Sequence, residues 1–540
     1  MAAAIAGLAL SGPGPTSASA GGPHQALTAT TGGAVRPACH PAAPARPVVA
    51  VPVAGVPTDW TVTSFDGTQI RAHWFPVSAD GPAVHPTVLM GPGWGQTGET
   101  DPTGTALFGG LTIDTLRHAG FNVLTWDPRG FGKSTGTVEL DRAAYEARDV
   151  EQLINWVATR PGVELQGPDD PAIGMVGASY GGGIQFTAAA VDCRIDAIVP
   201  TIAWHSLVTS LDKNGTIKAG WAGILIGVGG AMRLDPRLVA ADRAVGTGVL
   251  DPAEVRWFAS AGPGDLVSRI TAPTLIIQGT VDDLFTLDEG VTNFEALRAR
   301  GVPTSMIWFC GGHGICLTPP GDQQVIADAT LAWLHKYVGG EVGVATGPRF
   351  RFVDQRGSAY QAAGYPLPAG RPLEATGTGA LALRAGGGSG PAQVPAGTTD
   401  PVAVIAAPAA PALAAHAVDV PIGSGRRAAV VVGPPELTLT YQGVAGSGTG
   451  PTRVFAQLVD DSTGLVLGNQ VTPVDVVLDG RHHTTSVPLE TVVAALHPGA
   501  RLTLQLVATT VAYATPRLGG HVAFDRIHLS LPVAAGLSPH

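Results

Sequence analysis

Through the first two-thirds of this chain the apolar residues fall in short unbroken runs, whereas in the last third they alternate with polar ones. Runs at 87–90, 122–126, 172–176, 197–201, 274–278 and 305–309 carry almost no polar residue and are bounded by Gly, Pro or Asp. A run so short and so uniformly apolar reads as a strand buried on both faces. Ahead of them, 60–64 and 69–75 alternate apolar with polar around Asp66-Gly67, which predicts a β-hairpin. Helical periodicity separates the later runs. It is clearest over 144–159, where Val150, Leu153, Ile154 and Val157 share one face, and recurs over 323–337. Strands alternating with helices predict a mostly parallel sheet covered on both faces, an α/β fold.

The turns that follow these strands carry the chemistry. The run at 172–176 leads into Gly177-Ala178-Ser179-Tyr180-Gly181, and a small-residue helical stretch follows. A G-x-S-x-G between strand and helix is a nucleophile elbow, which lifts the serine hydroxyl above the sheet. The run at 274–278 leads into Gly279-Thr280-Val281-Asp282-Asp283, and the run at 305–309 into Cys310-Gly311-Gly312-His313-Gly314. Serine, acid and histidine, each after its own strand and in that order, predict a triad. Ser179 is the nucleophile, His313 the base and Asp282 the acid that orients it, with Asp283 a direct rival. His205 precedes the acid and reads as a pocket or structural residue. Two N–H donors are needed for the oxyanion. Candidates are the backbone groups of Tyr180 and, in Gly91-Pro92-Gly93-Trp94-Gly95, of Trp94. The glycine-rich segment 127–134 lacks phosphate-loop spacing, so Asp127 and Arg129 read as loop-bracing residues. Residues 204–270 hold Trp204, Trp221, Trp257 and Phe258 without strand-like alternation, which predicts a helical cap over the site. The apolar run at 222–232 within it is too short to cross a bilayer.

Three segments, Asp127-Pro128-Arg129-Gly130-Phe131-Gly132-Lys133-Ser134, Gly177-Ala178-Ser179-Tyr180-Gly181-Gly182 and Gly279-Thr280-Val281-Asp282, resemble the α/β-hydrolases of the cocaine esterase / X-prolyl dipeptidyl-peptidase type (CocE/NonD). So does the helix at 149–156. The resemblance implies an α/β-hydrolase fold followed by a C-terminal β-sandwich of jelly-roll type, and acyl chemistry on esters or X-Pro peptides. The residues agree about the sandwich. Short β-type runs at 436–442, 453–459, 471–477, 502–507 and 523–531 are separated by Gly, Pro and Asp. The stretch 366–423 is rich in Ala, Pro and Gly and reads as long loops plus linker. Asp460, Asp461 and Asp475 match no calcium-loop spacing and read as turn residues.

Composition narrows the partners. Of 540 residues only 14% are charged, the net charge is −10, and Lys133, Lys213, Lys218 and Lys336 are the only lysines, which argues against nucleic acid. A small-molecule or peptide acyl substrate is expected, with no cofactor, no metal and no transmembrane segment; the oligomeric state is left open. Residues 1–20 combine an apolar core with Ala18-Ser19-Ala20 and read as a signal peptide lacking its basic region, and 21–47 as a disordered lead-in. The hydrolase domain is then expected at 48–345 and the β-sandwich at 346–540. Four cysteines fit an oxidising compartment. A Cys310–Cys316 bridge would brace the histidine loop and leave Cys39 and Cys193 to pair; four reduced thiols are the alternative. The expected protein is an exported serine hydrolase cleaving carboxylic esters. The alternatives are an X-prolyl dipeptidyl-peptidase and a non-catalytic secreted binding protein.

Overall fold

The computed structural model describes residues 48–77, 83–104, 108–316, 323–391 and 401–539. The expected signal peptide and lead-in lie outside the described residues, as does Cys39. One eleven-stranded sheet organises the first part of the chain. Its order is Ala50–Pro52, Asp59–Thr63, Gln69–Phe75, Asn122–Trp126, Thr87–Gly91, Ile173–Ala178, Ile195–Thr201, Thr274–Gly279, Thr304–Phe309, Phe350–Val353 and Ala359–Ala362. From Asn122–Trp126 to Phe350–Val353 every neighbouring pair is parallel. The hairpin around Asp66-Gly67 forms in the expected register, with Val62 opposite Ile70.

The unbroken apolar runs become strands because each alternate residue finds its own layer. Leu89, Met175, Ile198, Ile276 and Met306 pack into one core. Val88, Val176, Val199, Leu275 and Ile307 pack into the core on the opposite face. The helix Glu146–Val157 turns Val150, Leu153, Ile154 and Val157 inward, all at most 1% exposed. One adjustment concerns a boundary. Phe350–Val353 and Ala359–Ala362 extend the main sheet, so the expected break at residue 345 moves beyond Ala362.

Between Ile195–Thr201 and Thr274–Gly279 lies the cap, formed by the helices Leu207–Leu211, Ala219–Gly229, Pro236–Ala241, Arg243–Thr247 and Pro252–Ala259. Local chemistry starts several of them. Asp251 accepts from the N–H groups of Ala253 and Glu254, the Glu254 side chain closes the capping box, and Pro252 holds the first turn. A feature not expected there is a short hairpin, Asp212–Lys213 with Thr216–Ile217.

The C-terminal part is all β. One four-stranded antiparallel sheet runs Leu373–Ala382, Gly520–Leu531, Glu436–Ala445, His483–Pro488. The other runs Ala417–Gly423, Arg501–Val507, Arg453–Asp460, Leu465–Asp475. Their inward residues, among them Val420, Leu439, Leu504 and Ile527, form one core. The reading of 366–423 as loops is therefore corrected, because Leu373–Ala382 pairs with Gly520–Leu531 and Ala417–Gly423 with Arg501–Val507. The physical reason lies across the core. A methyl group at Gly377 would sit 2.6 Å from Val420 Cγ2, so the valine fills what the glycine leaves empty. A strand whose partner supplies the bulk carries little apolar signal of its own.

Candidate active site

All four predicted turns open at the carboxyl edge of the parallel strands, where open α/β sheets bind ligands. The nucleophile comes first. Ser179 sits at φ 57°, ψ −117°, between the end of Ile173–Ala178 and the helix Tyr180–Val191. A non-glycine residue in that region is strained, and the surroundings hold it. Its N–H donates to Thr201 O at 2.9 Å, and its carbonyl accepts from Gly182 and Gly183. A side chain on Gly181 would overlap the carbonyl of Gly91, which is why the elbow needs glycine there.

His313 Nε2 lies 3.0 Å from Ser179 Oγ, and His313 Nδ1 lies 2.8 Å from Asp282 Oδ2. The other Asp282 oxygen accepts the N–H groups of Leu284 and Phe285 at 3.1 and 2.8 Å. Asp282 is fully buried, so its carboxylate is fixed on every side. The residues predicted from sequence order are thus brought together, and Asp282 rather than Asp283 meets the histidine. The glycines around His313 allow the close passage of two loops: a Cβ at Gly312 would come within 2.6 Å of Asp282 Cβ. Phe285 and Trp221 meet the imidazole edge-on, with centroids 5.2 and 5.6 Å away. Cys310 and Cys316 form a disulfide across this loop. Cys193 is disulfide-bonded as well.

Tyr180 N–H opens its helix, where no intrahelical acceptor exists. The Tyr180 phenol points away from the serine, 3.4 Å from Glu146 Oε1, and the ring packs against Trp94 and Phe131. Trp94 Nε1 donates to Leu225 O at 2.9 Å and so ties the strand-end loop to the cap. Asp127 and Arg129 brace, as expected. Asp127 accepts from the N–H groups of Gly98 and Lys133, while Arg129 grips Asp149 through two nitrogens at 2.7 Å each. His205 is structural, with Nδ1 2.8 Å from Asn293 Oδ1. Asp460 accepts from Ser462 N–H as a turn residue. Among the described residues no group of three or more His, Cys, Asp or Glu is placed to hold a metal ion, and no helix is long and apolar enough to cross a membrane.

A second set of residues was not foreseen. Asp283 faces away from His313 and accepts from Trp221 Nε1 at 3.0 Å. Burial, and then the neighbouring Asp282 charge, pushes its carboxyl up to about 7. The Lys218 ammonium donates to the carbonyls of Asp283 and Leu284 at 2.9 and 3.0 Å; burial lowers its pKa. Beyond it Lys213 pairs with Glu490 of the β region at 3.1 Å. Burial alone would raise Glu490, but Lys213 holds it at about 2. Gln470, also from the β region, donates to Asp282 O at 2.9 Å. The sequence held one signal for this set: Lys213 and Lys218 are two of only four lysines.

Comparison with known proteins bears on the family and the fold. Residues 66–314 match the X-Pro dipeptidyl-peptidase (S15) family. A CocE/NonD family hydrolase from Staphylococcus aureus superposes with a TM-score of 0.63 at 12% identity, covering 88% of this chain and 93% of that one. An aminopeptidase from a Thaumarchaeota archaeon gives 0.63 at 12% identity over 91% and 97%. An α-amino acid ester hydrolase gives 0.58 at 13% identity over 90% and 97%. At these identities the likeness is one of fold, an α/β core followed by an all-β region. Among curated sequences, a polyketide transferase of a Penicillium species is 28% identical over 143 residues, 26% of this chain and 43% of that one. An uncharacterised 31.7 kDa Escherichia coli protein is 38% identical over 91 residues, 17% of this chain and 30% of its own length. The chain thus spans well under half the length of the curated relatives it matches. Family match and fold point the same way: residues 66–314 resemble the X-Pro dipeptidyl-peptidase (S15) family, and the chain shares its fold with a CocE/NonD family hydrolase.

Proposed function

We propose that this protein is a serine hydrolase that cleaves carboxylic esters through an acyl-enzyme. One observation carries the reading: the hydrogen-bonded chain Ser179–His313–Asp282 lies at the carboxyl edge of the sheet. In the proposed reaction His313 Nε2 takes the Ser179 proton as the oxygen attacks the acyl carbonyl. The oxyanion is received by the backbone N–H groups of Tyr180 and Trp94. The imidazolium, steadied by Asp282, returns the proton to the leaving alcohol. Water then repeats the sequence and frees the acid.

A second reading, X-Pro dipeptide cleavage, rests on the family match over residues 66–314. A fluorophosphonate probe, short p-nitrophenyl esters and a Gly-Pro anilide, run beside Ser179→Ala, decide between them. Labelling at Ser179 with ester turnover is expected. Absence of labelling would overturn the hydrolase reading, and anilide turnover without ester turnover would favour the peptidase.

Two finer proposals accompany it. The C-terminal region is a jelly-roll-like sandwich, a reading supported by its two antiparallel sheets around one core. The protein is exported after removal of residues 1–20, which the Cys310–Cys316 disulfide supports. Mass spectrometry of the mature N-terminus checks the second, and recovery of Met1 on a cytoplasmic species would contradict it.

A further inference from the structure

The cap and the nucleophile elbow enclose a cavity of about 870 Å³, counting the space open to solvent. Ser179 opens into it, with Trp94 and Tyr180 beside the serine. The remaining wall, among the described residues, is hydrocarbon or aromatic, with Leu140, Leu225, Leu238, Ala244 and Phe258 among its members. Among the described residues, no charged side chain lines it. The nearby acids are turned elsewhere. The Asp283 carboxylate is held by Trp221, and Asp141 and Glu146 line a separate, smaller space beside Tyr180.

We infer that this cavity is an acyl-chain subsite, and that the substrate is an ester of a medium- or long-chain apolar carboxylic acid with no charge near its carbonyl. The inference rests on the serine-hydrolase reading above and gives it a substrate class. Geometry decides which half of the ester enters. The leaving oxygen must sit beside His313 Nε2 to receive its proton. The cavity is lined by Ser179, Trp94 and Tyr180, the oxyanion side, and not by His313. The acyl portion therefore lies in the cavity, and the alcohol leaves past the imidazole.

Chemistry decides what kind of acyl portion. A peptide substrate would bring N–H and C=O groups, and a dipeptidyl one a free ammonium as well. Buried against this wall they would lose water and gain no partner, which costs more than the contact returns. A methylene chain loses nothing polar and gains on every carbon buried. An apolar cavity also holds water poorly, so the chain displaces little that is bound.

A series of p-nitrophenyl esters from acetate through butyrate and octanoate to dodecanoate tests this on the full chain, with a Gly-Pro anilide in parallel. The expected kcat/KM for octanoate exceeds that for acetate by about tenfold or more, since each buried methylene contributes up to about fourfold. Ala244→Trp, which puts an indole where the cavity wall now has a methyl group, is expected to lower the octanoate-to-acetate ratio at least severalfold. Val245→Phe reads the same ratio if the tryptophan variant does not fold. A preference for acetate, a flat series, faster anilide cleavage, or a ratio unmoved by filling would overturn the inference. Fluorophosphonate labelling of Ser179 keeps the two readings apart. Labelling with a flat series removes only the acyl-chain subsite, whereas absence of labelling removes the hydrolase reading beneath it.

Discussion

The two sides of the catalytic line are built from opposite materials. On the cap side of Ser179 the wall is hydrocarbon and aromatic. On the far side of Asp282, Lys218, Asp283, Lys213 and Glu490 form a buried charged seam that reaches into the β region. The division keeps charge out of the space that receives substrate and concentrates it where a loop must be held still. It also assigns the C-terminal region a mechanical part, because the Gln470 and Glu490 side chains come from its strands and loops and end at the acid loop or the cap.

The sharpest way to break the comparison is at the line itself. His313→Ala removes the base that joins Asp282 to Ser179. Ester turnover should fall on the order of 10⁴-fold or more, because triad members act as a unit. Melting temperature should change little by comparison. Full turnover in this variant would mean that the hydrogen-bonded chain is not the catalytic one.

Next is the charged side. Lys218→Met exchanges a buried ammonium for a neutral chain of similar length, leaving two carbonyls without their donor and Glu490 with one cation fewer. Breaking a buried charge network from one partner costs about 3–5 kcal/mol. Denaturant unfolding should show a loss of that order. A loss no larger than that of a surface substitution would mean that the seam does not hold the acid loop.

These two sides were unequally legible in the sequence. Strands buried on both faces wrote themselves as unbroken apolar runs, and the order serine, acid, histidine followed from strand order. The seam left almost no trace, since its contacts join residues far apart in the chain. Lys218 meets Asp283 across 65 residues, and Gln470 meets Asp282 across 188. The strand Leu373–Ala382 was hidden for a related reason: its small residues make sense only against the valines of Ala417–Gly423. Where one segment's packing is completed by another, neither segment alone shows it.

A smaller effect separates the two aspartates. Asp283 titrates near 3.9 in an unfolded chain and is raised to about 7 when buried. The folded state therefore holds the extra proton between those values, so this residue's contribution is full below about pH 4 and is lost as pH rises through 7. Asp283→Asn does not ionise and keeps an acceptor for Trp221. Its stability relative to the parent should rise by about 2.6 kcal/mol between pH 5 and pH 8. Melting curves at the two values check this, and a pH-independent difference would place the ionised carboxylate in a solvated setting.

The smallest change tests the reach of the β region. Gln470→Ala removes one side-chain donor from Asp282 O and leaves the triad atoms in place. A buried carbonyl without its donor costs about 1–3 kcal/mol, and part of that should appear as a looser acid loop. If the sandwich steadies the triad, kcat falls up to about tenfold while KM for the same ester stays constant, because the acyl wall is untouched. Gln470→Glu, whose carboxylate meets the same carbonyl with no N–H to offer, should not restore the rate, whereas Gln470→Asn restores it only if the shorter amide still reaches. A fall in KM-dependent terms alone would instead tie Gln470 to the substrate side, and the division between the two sides of Asp282 would fail there.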